Sequence, residues 1–195
     1  MAAIRRDRPA IMRIAGGEGQ PAYAARCRRL TTDLGLDDAV TFAGAIPWER
    51  MPEEYRRADL ALVPTLCGEG TSLAALEAMA CGAPCVATAV AGLQDLPATL
   101  CEPTAAAIAT TCLEALDTGA ELAYQQLEAV RQDFSLDRWT TTWLRVIEQT
   151  AARCPAHVTW PLSSSRQRPG DMRGAPLRGD VRGALPRTPQ EGSPS

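Results

Sequence analysis

The chain has 195 residues and a formal net charge of −3, enough length for one domain and a tail. With 46% hydrophobic residues it can form a core, while no apolar run approaches the roughly 18 residues of a membrane span. The charge offers no electrostatic case for nucleic acid, and every one of the 20 basic residues is an arginine, so no step can draw on a lysine ammonium. The opening M-A-A-I-R-R-D-R-P lacks the apolar centre of a signal peptide, which makes the cytoplasm the expected location. Cys27, Cys67, Cys81, Cys85, Cys101, Cys112 and Cys154 are scattered and odd in number, and His157 is the single histidine. Buried free thiols are expected from that pattern, and a zinc site is not.

In chain order, residues 1–9 read as a lead. Residues 11–15 (I-M-R-I-A) read as a buried strand running into Gly16-Gly17-Glu18-Gly19. A helical pattern follows from Ala22 to about Leu34, with Leu30 and Leu34 on one face, and Gly35 stops it. Residues 39–43 form a second strand closed by Gly44, and Pro47–Arg57 reads as a short helix with Pro52 near its first turn. Asp59–Pro64 is a third strand, Ser72–Cys81 a helix, Pro84–Thr88 a fourth strand and Ala98–Cys101 a short fifth. Helices are expected from Thr104 to Leu116, Ala120 to Asp133 and Leu136 to Arg153, the last capped by Ser135. Strands of about five residues alternating with helices of ten or more define an α/β domain with a parallel sheet over residues 10–153. The remainder, 154–195, has no hydrophobic period; from Pro155 it holds 7 Pro, 5 Gly, 5 Ser and 6 Arg. It cannot bury enough apolar surface to offset its ordering entropy and is expected to be disordered.

Two constellations carry chemistry. Gly17-Glu18-Gly19-Gln20-Pro21-Ala22 fits G-x-G-x-x-A after a strand, the dinucleotide fingerprint. Its acidic partner would be Asp37 or Asp38, which precede the second strand where the fingerprint needs an acid at that strand's end, so a nicotinamide-binding domain is the remote alternative. The second constellation is Glu69-Gly70-Thr71-Ser72-Leu73 with Glu77. Glu69 lies in a Gly-flanked loop after a strand, Thr71 or Ser72 caps the next helix, and Glu77 interrupts an otherwise apolar helical run. Carboxylates accept from hydroxyls and free helix amides donate to phosphate, so the pattern suits a ligand combining both, such as a nucleotide sugar. A solvent-facing Glu77 is the plainer alternative.

G-E-G-T-S-L-A-A-L-E-A-M-A-C-G-A-P-C-V-A-T resembles the donor-binding signature of retaining family-four glycosyltransferases of the GT-B type. The match extends to I-M-R-I-A-G-G-E-G, L-G-L-D-D-A-V-T-F-A-G-A-I-P, M-P-E-E-Y-R-R-A-D-L-A-L-V-P and D-F-S-L-D-R-W-T-T-T-W-L-R-V-I, in the family's order. The resemblance implies a Rossmann-like parallel sheet flanked by helices, one half of a GT-B fold. It implies transfer of a sugar from a nucleotide-diphosphate donor to an acceptor of unspecified kind, with no cofactor and no essential metal. Glu69 would accept from sugar hydroxyls and act at the catalytic centre, and the amides of Gly70, Thr71, Ser72 and Leu73 would hold the diphosphate. Glu77 would accept the ribose hydroxyls; Gly16 and Gly17 would admit the donor to the backbone; Gly44 to Pro47 would line the base.

The sequence also departs from the family pattern. The family's donor domain opens with a βα unit bearing an Arg and a Lys against the diphosphate, and Met1–Pro9 supplies no such strand. That strand lies in the middle of the family's sheet, so its loss is expected to weaken the fold. The acceptor-binding domain is also missing, and the chain is read as truncated at its N-terminus and inactive as it stands. A separate acceptor domain or self-association would be its partners. The other readings are a non-catalytic nucleotide-sugar-binding or regulatory module, or a nonfunctional gene fragment.

Overall fold

The computed structural model describes residues 1–17 and 19–153. In chain order the elements are α1 (Ile4–Asp7), β1 (Met12–Ala15), α2 (Pro21–Asp33), β2 (Val40–Gly44), a 3-10 turn at Trp48–Arg50, α3 (Met51–Arg56), β3 (Ala61–Val63) and α4 (Leu73–Ala80). They continue through β4 (Cys85–Thr88), a 3-10 turn at Ala91–Asp95, β5 (Thr99–Cys101), α5 (Ala105–Asp117), α6 (Gly119–Asp133) and α7 (Leu136–Arg153). The chain divides into one unit, Met1–Ala151, and another, Ala152–Ser195. The expected tail therefore lies outside the described residues.

The strand–helix alternation expected from the sequence is present, and all pairing is parallel. The ladder is interrupted, however: β1 pairs with β2 in one sheet, and β3, β4 and β5 form a second in that order. Within the second sheet β4 is central and fully buried. Cys85 and Ala87 face a core with Ala75, Met79, Leu93, Leu96 and Val130, while Val86 faces a second core with Ile4, Cys101, Ala109, Cys112 and Ala115. Burial on both faces is what a strand between two helical layers requires, and it explains the unbroken apolar run Pro84–Ala87.

Gln126 of α6 reaches into this core: Oε1 accepts from the Cys85 N–H at 2.7 Å, and Nε2 donates to the Cys85 carbonyl at 3.0 Å. A buried amide thus satisfies both backbone groups of the first residue of β4, the pairing that burial demands. Elsewhere the caps follow the sequence. Thr104 accepts from the Ala107 N–H at the start of α5, and Ser135 accepts from the Arg138 N–H at the start of α7. Gly35 (φ 64°) follows α2 in the left-handed conformation that glycine tolerates best.

Three expectations change. Residues 1–9 are not simply a lead: α1 forms, Ile4 enters the second core, and Arg5 makes a two-pronged ion pair with Asp38 at 2.8 and 3.0 Å. The apolar face of α2 is not covered, with Leu30 and Leu34 both exposed, and β1 likewise presents Ile14 and the preceding Ile11 to the surface. Of the cysteines described, Cys85, Cys101 and Cys112 are buried free thiols as expected, but Cys67 is exposed and Cys27 and Cys81 are intermediate. Among the described residues no helix is long and apolar enough to cross a membrane.

Candidate functional site

The sequence-selected residues gather at the carboxyl ends of strands, where ligands of open parallel sheets bind. Gly16 follows β1 and Gly44 ends β2; the Gly16 N–H donates to the Gly44 carbonyl at 2.9 Å, so the two meet. Both hold positive φ (148° and 69°), and a Cβ added at either would meet nothing within 4 Å, so each glycine serves backbone conformation and leaves open space beside the strand end. Gly17 is exposed beside them.

The other group forms after β3. Glu69 is half-buried in the loop between β3 and α4, and the Thr65 hydroxyl donates to its Oε2 at 3.3 Å. Among the described residues no protein donor reaches its other carboxylate oxygen. Gly70 and Thr71 are exposed, Ser72 is buried at the N-cap position of α4, and Leu73 opens the helix with 68% of its surface exposed. Ser72 occupies the position expected of a cap, but its side chain makes no capping bond. The first amides of α4 have no partner within the helix and carry its positive end.

Glu77 is exposed one turn further along α4, so it faces solvent and not the apolar core. It is not isolated: the Tyr55 hydroxyl of α3 donates to its Oε2 at 3.4 Å. Partial burial first, then the Glu77 charge, push the Tyr55 phenol up to about 12, so it stays a proton donor at neutral pH. The next residue back, Glu54, accepts from Arg13 Nε at 2.7 Å. Helix α3 therefore bridges the two groups, holding β1 through Glu54 and α4 through Tyr55.

Sequence reasoning did not give roles to Tyr55, Thr65, Thr88 and Gly92, although the structure ties each to this site. The Thr88 hydroxyl donates to the Thr65 carbonyl at 2.6 Å, and the Gly92 N–H donates to the Glu69 carbonyl at 3.1 Å. A strand-ending threonine and an Ala-Gly step just after it were the available signals. The remote dinucleotide alternative loses its acid: Asp38 is paired with Arg5, Asp37 accepts from Thr32, and neither stands at the end of β2. Pro21 is the first residue of α2, not part of a phosphate turn. Among the described residues no cluster of three or more His, Cys, Asp or Glu side chains could hold a metal ion.

The family model described as "Glycosyl transferases group 1" matches residues 1–118. The chain belongs to this family. D-inositol 3-phosphate glycosyltransferase of Acidothermus cellulolyticus is 48% identical over 68 residues, a match covering 35% of this chain and 15% of that protein. The Catenulispora acidiphila D-inositol 3-phosphate glycosyltransferase 2 is 38% identical over 90 residues, 46% of this chain and 21% of that protein. Among solved structures, sucrose-phosphate synthase of Thermosynechococcus elongatus superposes with a TM-score of 0.63 at 23% identity, over 78% of this chain and 49% of that one. HepE of Anabaena in complex with UDP-glucose gives a TM-score of 0.63 at 22% identity, over 77% and 44%. The C-terminal domain of a group 1 glycosyl transferase from Francisella tularensis is covered to 92%, with a TM-score of 0.55 at 19% identity. The group 1 glycosyltransferase chain thus has the fold of one half of a GT-B enzyme, and spans less than half the length of most of these relatives.

Proposed function

We propose that this chain is the donor-binding half of a retaining glycosyltransferase and that its β3–α4 loop and helix α4 hold a nucleoside-diphosphate sugar. The observation that carries the reading is the continuous run from the end of β3 through half-buried Glu69 into the N-terminus of α4, with exposed Glu77 beside Tyr55. Glu69, held on one oxygen by Thr65, accepts from sugar hydroxyls on the other. The amides of Gly70, Thr71, Ser72 and Leu73 donate to the diphosphate, which is favoured there by the helix dipole. Glu77 accepts the ribose hydroxyls, the open backbone at Gly16 and Gly17 admits the donor, and Gly44 to Pro47 line the base.

Breaking the glycosidic bond leaves charge on the departing diphosphate, and its neutralisation is a large part of such catalysis. With no lysine in the sequence, an ammonium for that purpose must come from outside this chain. We therefore expect the isolated 195-residue chain to hold a donor without turning it over, and a separate acceptor-binding domain to be its partner in transfer. Calorimetry with UDP-glucose, ADP-glucose and GDP-mannose tests the reading: one should bind, and Glu77→Ala should weaken it about 10- to 100-fold, the loss of charge-assisted hydrogen bonds. A folded chain that binds none of the three refutes it, and turnover of a donor by the isolated chain refutes the claim of inactivity.

A further inference from the structure

We infer that the segment Thr88–Gly92, outside the residues assigned to the donor, is a clamp that sets the position of Glu69, with Gly92 as its determining residue. The inference rests on the donor-site reading above and adds a positioning layer beneath it. The clamp touches the β3–α4 loop at two backbone carbonyls. Thr88, the fully buried last residue of β4, donates from its hydroxyl to the Thr65 carbonyl at 2.6 Å. Gly92 donates from its N–H to the carbonyl of Glu69 itself at 3.1 Å.

The second contact is possible only for glycine. A Cβ placed on Gly92 would lie 2.4 Å from the Gly70 carbonyl oxygen, 2.7 Å from its carbon and 3.2 Å from the Glu69 carbonyl oxygen. Those neighbours are backbone and cannot swing aside, so any side chain must push away the Gly70–Thr71 peptide first and the Glu69–Gly70 peptide with it. Gly92 cannot retreat either. The next residue, Leu93, is fully buried in the core with Met79 and Cys85, and the Ala89 N–H is bonded to the Cys101 carbonyl of β5 at 2.8 Å. Between those anchors Ala91 takes φ 45°, a left-handed turn unusual for alanine that brings Gly92 to the loop. Strain of that kind persists where surrounding structure fixes it, and here the fixed element is bonded to the backbone carbonyl of Glu69, the residue read above as accepting from the sugar.

The test is Gly92→Ala, read by three measurements. Affinity for the nucleotide sugar that wild type binds should fall about 10-fold more than affinity for the same nucleoside diphosphate without sugar, whose own loss reports the shifted Gly70–Thr71 amide; the excess is roughly one charge-assisted hydrogen bond to the sugar. In a Glu69→Ala background that excess should vanish, because the group it positions is gone. In the free protein, hydrogen exchange over residues 65–72 should quicken while residues 40–44 of β2 keep their protection. Equal loss for both ligands, additivity with Glu69→Ala, or unchanged exchange at 65–72 would each overturn the inference. If wild type binds no nucleotide sugar, the donor reading fails, and the exchange measurement still decides whether Gly92 fixes the loop. Should Gly92→Ala not fold, Thr88→Val removes the other contact at constant shape, with the same outcomes expected at smaller size.

Discussion

Ala91 sits where glycine belongs. At φ 45° an L-residue pays about 1–2 kcal/mol against its neighbouring carbonyl, while glycine adopts the angle freely at the expense of a floppier unfolded chain. The difference predicts that Ala91→Gly raises stability by about 0.5–1 kcal/mol, read as a higher denaturant midpoint at unchanged slope. A lower midpoint would mean that the angle is not strained. Gly92 is the opposite case, since its requirement is space and not dihedral freedom. Glu69 and Glu77 were legible in the sequence because carboxylates stand out in a glycine loop and in an apolar helix. Tyr55, Thr65, Thr88 and Gly92 were not, because each acts through a partner between 4 and 23 positions away in the chain.

The strands and helices agree with the sequence to within a few residues, since glycine, proline and capping threonine or serine mark nearly every boundary. The exceptions have physical reasons. Four residues of α1 are too few to show a helical period, and only its tertiary contacts, Ile4 in the core and Arg5 on Asp38, hold it. On α2 the period identifies which face is apolar but not whether anything covers it, and Leu30 and Leu34 are exposed. On α7, Leu136, Trp139, Trp143 and Ile147 are likewise exposed, with the two indoles 6.1 Å apart. The element most dependent on one side chain is β4. Replacing Gln126 by Leu leaves the buried N–H and carbonyl of Cys85 without their partner, at about 1–3 kcal/mol for each group. We expect Gln126→Leu to cost about 2–4 kcal/mol in chemical denaturation, and a loss under about 0.5 kcal/mol would show that another donor and acceptor replace it.

For the molecule as a whole, the pH dependence of stability follows from buried acids. Burial pushes Cys85 up to about 12 and Cys112 to about 11 from an ordinary 9.0, and Tyr55 to about 12 from 10.0. The folded state holds these protons after the unfolded chain has begun to release them, so their contribution is complete below about pH 9 and is lost as pH climbs through 11–12. Denaturant midpoints should therefore fall between about pH 8 and pH 10.5, and Cys112→Ala should flatten part of the decline. A midpoint constant over that range would contradict the burial of these groups. At the same scale, the two ladders β1–β2 and β3–β4–β5 share no strand; α3 ties them through Arg13–Glu54 and Tyr55–Glu77, and α1 through Arg5–Asp38 and the burial of Ile4 beside Val86.

The sequence by itself determined the α/β class, the order of the elements, the parallel pairing implied by that order, and the two glutamates with their helix terminus. These are local matters: turn chemistry, hydrophobic period and the chemical character of a short run. The tertiary structure decided that the strands pair as two separate ladders, β1–β2 and β3–β4–β5, that Asp37 and Asp38 are engaged by Thr32 and Arg5, and that Glu77 is held by Tyr55. It also decided that the Glu69 loop rests on Thr88 and Gly92. Strand pairing and close backbone approach join residues distant in the chain, and no spacing within a single segment encodes them.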